Sequence, residues 1–598
     1  MPATTVGGPV ALAGATFEAQ GLFAMSTPRS LLALLAFSGL CACATPGPRS
    51  AAGGPALATL PIDPGGSAYG LFLAGQEAIN NGHSGAAADL FGRAATTDGD
   101  PVFLANRAFT AALLAGDVKR AAAIAPAAGG DEPDLVSLGL LVRGVEALAD
   151  GDGKQARVLL TGPALTASHK VAAELLAPWA VAEAGDAEAS IARPVITGEP
   201  IAQFFASLDQ GKLFERAHRY DEAETTFRAL IGAGDPGGIA SADLGEMLER
   251  RGEGAKAVAI YDQALARNPD DGALKAAKVR ALAKGRPPAL ESIRQSAAEA
   301  LIAPATVLMI QKQEEGALAY LRLALRLDAG RDEAWVLVGD ILADVGDVEG
   351  ARTAYGRPGP RSDEFVAARG KLAWSYQTAG DKDAALKVAR DALAAAPADR
   401  DASVTVADLL RADERYDESI AALNPLIAAQ ADHPDWRLLY MRAVALEESG
   451  RWPEAERDLT AALKERPDEP ELLNFLGYSW IDRGEKLPAA IAMVQKAVDQ
   501  DPQSGAMLDS LGWGYYRSGD YKTAVDKLEA AVVLDPGDPD VNNHLGDAYW
   551  RVGRRTEAQF QWRRVLTLEP TAKIRAEAEA KLKSGLDGAP VPSLVAGQ

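Results

Sequence analysis

The sequence predicts an all-α protein, a solenoid of about 15 helix-turn-helix units. Three observations carry that expectation. A small residue recurs at a nearly constant interval, at Ala305, Gly339, Ala373, Ala407, Ala443, Gly477, Gly512 and Gly546, in steps of 34, 34, 34, 36, 34, 35 and 34. An alanine follows twelve residues later in many units, as at Ala87, Ala121, Ala156, Ala223 and Ala257. Alanine, leucine, aspartate and glutamate are abundant while aromatics make up only 6% of residues, which suits helices packed through small contacts rather than a sheet.

Residues 1–24 carry no lysine or arginine, so translation is expected to start at Met25. Residues 25–42 are expected to be a signal peptide: Arg29 precedes the apolar run Leu31 to Leu40, LLALLAFSGL. Residues 43–66, rich in proline, glycine and alanine, read as a tether. Residues 67–285 hold degenerate units, with Gly75, Phe109, Gly144, Pro178, Gly211 and Gly245 in the small-residue register. Residues 286–330 are an irregular junction, because the step from Val279 to Ala305 is 26 and two prolines in Gly285-Arg-Pro-Pro288 must end a helix. Residues 331–570 hold regular units, and 571–598 a capping helix and a disordered tail from 585 onward. No apolar run is expected to reach the roughly 18 to 20 residues a membrane-spanning helix needs, Leu31–Leu40 being shorter.

Each unit has a mechanical logic. A small side chain at position 8 and another at position 20 let two antiparallel helices approach. Large residues at positions 4, 7, 11 and 24 fill the space between, a glycine near 15 turns the chain, and a proline at 32 ends the second helix. Gly505 to Pro536 shows the whole pattern: Leu508, Leu511-Gly512, Tyr515, Gly519, Tyr521, Ala524, Leu528, Ala531 and Pro536. It resembles the tetratricopeptide repeat (TPR), and the runs LNFLGYSWIDRGE, LDSLGWGYYRSGDY and VNNHLGDAYWRVGR are similar to the C-terminal arrays of proteobacterial TPR lipoproteins. That resemblance implies a right-handed superhelix whose first helices line a concave groove, with positions 2, 5, 9, 12 and 13 meeting a ligand. The groove residues so assigned are Asn474, Tyr478, Ile481 and Asp482; Asp509, Trp513, Tyr516 and Arg517; and Asn543, Asp547, Trp550 and Arg551. Aromatic and arginine side chains of this kind concentrate at binding hot spots. Asp509 and Asp547 argue against the family's carboxylate clamp and for a mixed peptide groove. Leu40-Cys41-Ala42-Cys43 resembles a bacterial lipobox, which implies lipidation at Cys43 and a membrane anchor.

The function classes this leaves are few. With 61 basic and 82 acidic residues the net charge is −21, unsuited to neutralising nucleic-acid phosphates. Two cysteines and five scattered histidines give no metal-ligand spacing, and no cofactor is expected. Gly232-Ala-Gly-Asp-Pro-Gly237 fits a dinucleotide fingerprint but has no strand before it. Arg551, Arg554, Arg555, Arg563 and Arg564 form a basic patch that could meet an acidic partner. The expectation is a non-catalytic scaffold binding protein or peptide partners, held at the cell envelope as an outer-membrane lipoprotein facing the periplasm. A cytoplasmic-facing regulatory adaptor is the alternative if residues 25–42 stay attached. An enzyme would need a catalytic set inside the array.

Overall fold

A computed structural model describes residues 66–586, except 98–99, 128–129, 193–195, 197–198, 270 and 431–433. The expected signal peptide, Cys43 and residues 587–598 therefore lie outside the described residues. The described residues form helices and no strands. The helices are α1 (Ala68–Asn80), α2 (Ser84–Ala95), α3 (Pro101–Leu114), α4 (Val118–Ile124), α5 (Pro133–Ala149), α6 (Gly153–Leu160), α7 (Ala167–Glu183), α8 (Ala187–Ser190), α9 (Pro200–Arg216), α10 (Tyr220–Ala233), α11 (Ile239–Arg250), α12 (Gly254–Leu265) and α13 (Gly272–Leu282). There follow α14 (Ile293–Ala300), α15 (Ile302–Ile310), α16 (Glu314–Leu327), α17 (Asp332–Asp344), α18 (Val348–Tyr355), α19 (Phe365–Thr378), α20 (Lys382–Ala395), α21 (Arg400–Ala412), α22 (Tyr416–Ala428), α23 (Trp436–Glu448) and α24 (Trp452–Glu465). The last are α25 (Pro470–Arg483), α26 (Leu487–Gln500), α27 (Gly505–Ser518), α28 (Tyr521–Leu534), α29 (Pro539–Arg551), α30 (Arg555–Val565) and α31 (Ala572–Ser584). They group into two compact units, divided between Ala396 and Pro397.

The local reasons for a unit are visible in α27 and α28. Ser504 caps α27 by accepting from the Met507 amide at 3.3 Å, and Asp520 caps α28 through the Thr523 amide at 3.2 Å. Between them Gly519 takes φ of 88°, which ends α27 in the left-handed region. Gly512 faces Leu528, where an added Cβ would sit 2.6 Å from Leu528 Cγ. Ala524 and Leu528 are fully buried in the seam so made. Gly232 lies in the last turn of α10, and the chain passes through Gly234, Asp235 and a short 3-10 turn, Pro236–Gly238, into α11. Asp235 is buried and accepts from the Ala240 and Ser241 amides at 2.8 and 3.1 Å, capping α11.

In the first unit α1 to α12 alternate as antiparallel pairs, and α13 packs on α12. The chain then leaves the array. Residues 283–292 are non-helical, and α14 packs not on α13 but on α7 and α16. Helix α16 packs on its own partner α15 and also on α3 and α5. Helices α14 to α16 thus lie along the first helices of units far upstream. Arg294 donates to the Ala149 carbonyl at 2.8 Å and Arg322 to the Leu114 carbonyl at 3.0 Å, so arginines satisfy the last turns of α5 and α3. Arg326 grips Glu146 with two bonds of 2.8 and 3.0 Å. Tyr320 bonds His169 Nδ1 at 2.8 Å.

Burial explains the composition of this segment. Helix α16 buries Ala317 to Leu321, Leu323 to Leu325 and Leu327, apolar on nearly every side because it has neighbours on nearly every side. Ile293–Ile310 is an 18-residue stretch long and apolar enough to cross a membrane, which the sequence reading missed; half of it is buried within the unit. The groove that the first helices of residues 101–216 create is filled by residues 293–327 of the same chain.

Candidate functional site

The expected groove residues fall on α25, α27 and α29 of the second unit. Spacings of three and four residues set positions 2, 5, 9 and 12 on one face of each helix. What each side chain meets differs along the array.

At the C-terminal end the face is covered by the chain itself. Helix α31 sends Lys581, whose Nζ donates to Asn543 Oδ1 and Asp547 Oδ2, each at 2.9 Å. Asp547 Oδ1 accepts from Trp562 Nε1 at 3.0 Å. Asn543 and Asp547, expected to meet a partner, are buried under these contacts. Trp550 packs on Trp562 with ring centroids 5.3 Å apart, and the Arg555 guanidinium lies 4.7 Å over its ring. Gly585 presses against the Trp550 ring and Leu586 is buried, so these two residues are packed rather than part of a loose tail. The reason is common to all these contacts: the last unit has no following repeat, and α31 with Gly585 and Leu586 takes that place.

In the middle stands a pair the sequence reading missed. His544 Nδ1 meets Asp509 Oδ1 and Oδ2 at 3.0 and 2.9 Å, both side chains buried. Burial would lower the His544 pKa, but Asp509, then Asp540 and Asp547, overcome it and hold the imidazole up at about 9. Trp513 stacks on His544 at 4.1 Å and on Tyr516 at 4.7 Å, with interplanar angles of 16° and 7°. Arg517 donates to the Asp482 carbonyl at 2.7 Å, and Arg551 Nε to the Tyr516 hydroxyl at 3.3 Å. Trp513, Arg517 and Arg551 each keep part of their surface open, while Tyr516 is buried.

Towards α23 the face is acidic and incompletely bonded. Burial first, then Asp482, Asp509, Asp540 and Glu447, hold the Tyr478 phenol well above its usual range. Arg483 donates to Glu447 Oε1 at 2.8 Å. Five buried polar atoms at groove positions have no hydrogen-bond partner among the described residues: Glu447 Oε2, Glu471 Oε2, Asn474 Oδ1, Trp513 Nε1 and Arg517 Nε. Buried polar atoms are normally satisfied, and each unsatisfied one costs about 1–3 kcal/mol.

The basic patch is internally engaged. Arg554 bonds Glu529 at 2.6 Å and Glu557 at 3.1 Å, Arg564 reaches the Pro536 carbonyl at 2.9 Å, and Arg563 reaches Gln559 at 3.4 Å. Among the described residues no group of histidine, cysteine, aspartate and glutamate could hold a metal ion.

Comparison with known proteins agrees with this architecture. Family models described as tetratricopeptide repeat match residues 208–272, 371–439 and 440–505, and one described as TPR repeat matches 514–553. Over these residues the chain carries TPR repeats, which generally mediate protein–protein contacts, and its described residues fold as an α-solenoid. It is 35% identical over 113 residues to a TPR repeat-containing protein, PA4667, of Pseudomonas aeruginosa. That match covers 19% of this chain and 19% of the relative. Among solved structures, the APC/C hetero-tetramer Cut9-Hcn1 aligns at 15% identity with a TM-score of 0.37, covering 86% of this chain and 96% of that one. A MamA structure aligns at 20% identity with a TM-score of 0.24, covering 30% of this chain and 94% of that one.

Proposed function

We propose that the protein is a non-catalytic scaffold of the bacterial cell envelope that binds a protein or peptide partner on the first helices α23, α25 and α27. The observation that carries the binding face is the row of five unpartnered buried polar atoms from Glu447 to Arg517. A partner toward which these side chains turn would supply the donors and acceptors they lack in the free protein. Tyr478 and Trp513, both part-exposed on that face, would add aromatic contact area. The first unit offers no such face on α3 to α9, because its own helices α14 to α16 occupy it. Asn543, Asp547 and Trp550 serve to close the end of the array in this reading.

The envelope address rests on the apolar run Leu31–Leu40 and on the lipobox-like Leu40-Cys41-Ala42-Cys43. A lipid on Cys43 would leave residues 44–66 as a tether between bilayer and array.

In-cell crosslinking followed by capture tests both parts. Envelope proteins are expected on the wild-type chain and are expected to be lost from a Tyr478→Ala/Trp513→Ala variant that keeps its helical circular dichroism. Capture of cytoplasmic proteins alone would overturn the address. Envelope partners retained by the double variant would overturn the binding face. A Cys43→Ser variant is expected to leave the membrane fraction.

A further inference from the structure

We infer that the groove at Glu471 and Asn474 takes the cation of a lysine or arginine carried by the partner protein. This rests on the reading of α23 to α27 as the binding face. The array contains a worked instance of the contact. Asn543 stands at position 5 of its unit, and its Oδ1 accepts from Lys581 Nζ at 2.9 Å. Asn474 stands at position 5 two units earlier, and its Oδ1 has no partner among the described residues. Lys581 reaches Asn543 from the next first helix, at the place that corresponds to Trp513 beside Asn474. Trp513 brings no charge to that place.

The surroundings of Asn474 favour a cation. Glu471, one turn earlier on α25, leaves Oε2 without a hydrogen bond. Burial, and then the Glu471 carboxyl beside it, push the neighbouring Glu469 up to about 7, against the opposing pull of Arg437 and Arg466. Glu447, its side chain 5% exposed, also has an unpartnered oxygen. Of the arginines nearby, Arg483 bonds Glu447 and Arg517 the Asp482 carbonyl, while Arg437 and Arg466 act on Glu469. Tyr478 and Trp513 offer aromatic faces along which the stem of a lysine or arginine can lie while its head reaches carboxylates. The first unit fills its own groove by the same chemistry, with Arg326 of α16 on Glu146 of α5.

The test uses the full-length chain, immobilised, and a phage-displayed library of random 12-residue peptides selected at physiological salt. Selected peptides are expected to share one basic position, and synthetic copies with glutamine there should bind at least tenfold more weakly. Glu471→Gln and Asn474→Leu should each cost the parent peptide at least tenfold, whereas Asp526→Asn, at an exposed carboxylate off this face, should change affinity less than twofold. Glu471→Lys should reverse the preference and select glutamate or aspartate at that position, a gain that a misfolded variant cannot produce. Peptides that lose affinity in Trp513→Ala but not in Glu471→Gln or Asn474→Leu would overturn this inference and leave the binding face standing. Peptides insensitive to Tyr478→Ala and Trp513→Ala as well would overturn both.

Discussion

His544 shows how one residue can govern a unit while leaving no trace in the sequence. Its folded pKa of about 9 lies above the unfolded value near 6.5. The pair with Asp509 therefore contributes its full stability below pH 6.5 and loses it as pH rises through 9. Asp540, raised to about 7 chiefly by burial, lowers stability over an earlier window, from about pH 4 to 7. Urea unfolding followed by tryptophan fluorescence should thus show the second unit weakening by about 2 to 3 kcal/mol between pH 7 and 9.5. His544→Gln should flatten that slope, and a slope unchanged in the variant would show that the imidazole is not the titrating group. A lone histidine has no local signature, and its carboxylate partner lies 35 residues away on the preceding first helix. The aromatic and arginine positions were legible because they ride on the repeat register. Which of them the chain would cover for itself was not, since Lys581 and Gly585 act from a segment with no repeat signature.

Single helix pairs follow rules that the sequence does display. Small residues at position 8 mark where two helices nearly touch, and that much was legible from spacing alone. The rule predicts opposite outcomes for two glycine-to-alanine changes. At Gly512 the new Cβ would lie 2.6 Å from Leu528 Cγ and 3.3 Å from the Leu528 amide nitrogen, so α27 and α28 must part. Overpacking of that kind costs about 1–3 kcal/mol, more than the gain of up to about 1 kcal/mol in helix propensity. At Gly232, inside α10, nothing lies within 4 Å, and only the propensity gain remains. Hydrogen exchange of the α27/α28 amides should speed up in Gly512→Ala. Exchange in α10 should slow in Gly232→Ala, and equal behaviour at the two sites would refute the packing account of position 8.

At the scale of the first unit, the departure from a plain solenoid matters most. In a linear array each repeat touches only its neighbours, and a lesion is felt locally. The sequence announces a break at Gly285-Arg-Pro-Pro288 but not where the chain goes next, because the destination depends on contacts 145 to 208 residues away in sequence. One signal was available: Glu314-Glu-Gly-Ala-Leu-Ala-Tyr-Leu-Arg-Leu-Ala-Leu-Arg-Leu327 is apolar round most of its circumference, which a second helix with one buried face does not need. Leu321, fully buried in α16, tests the consequence. Truncation to alanine should cost about 2–5 kcal/mol by the lost transfer energy and the cavity left behind. The loss should appear far from its own repeat. Amides of α3 and α5, which α16 packs against, should lose hydrogen-exchange protection together with α16, while those of α20 keep theirs. If only α15 to α17 respond, the groove-filling helices are a loose lodger rather than the core of the unit, and the upstream groove would be open to a partner after all.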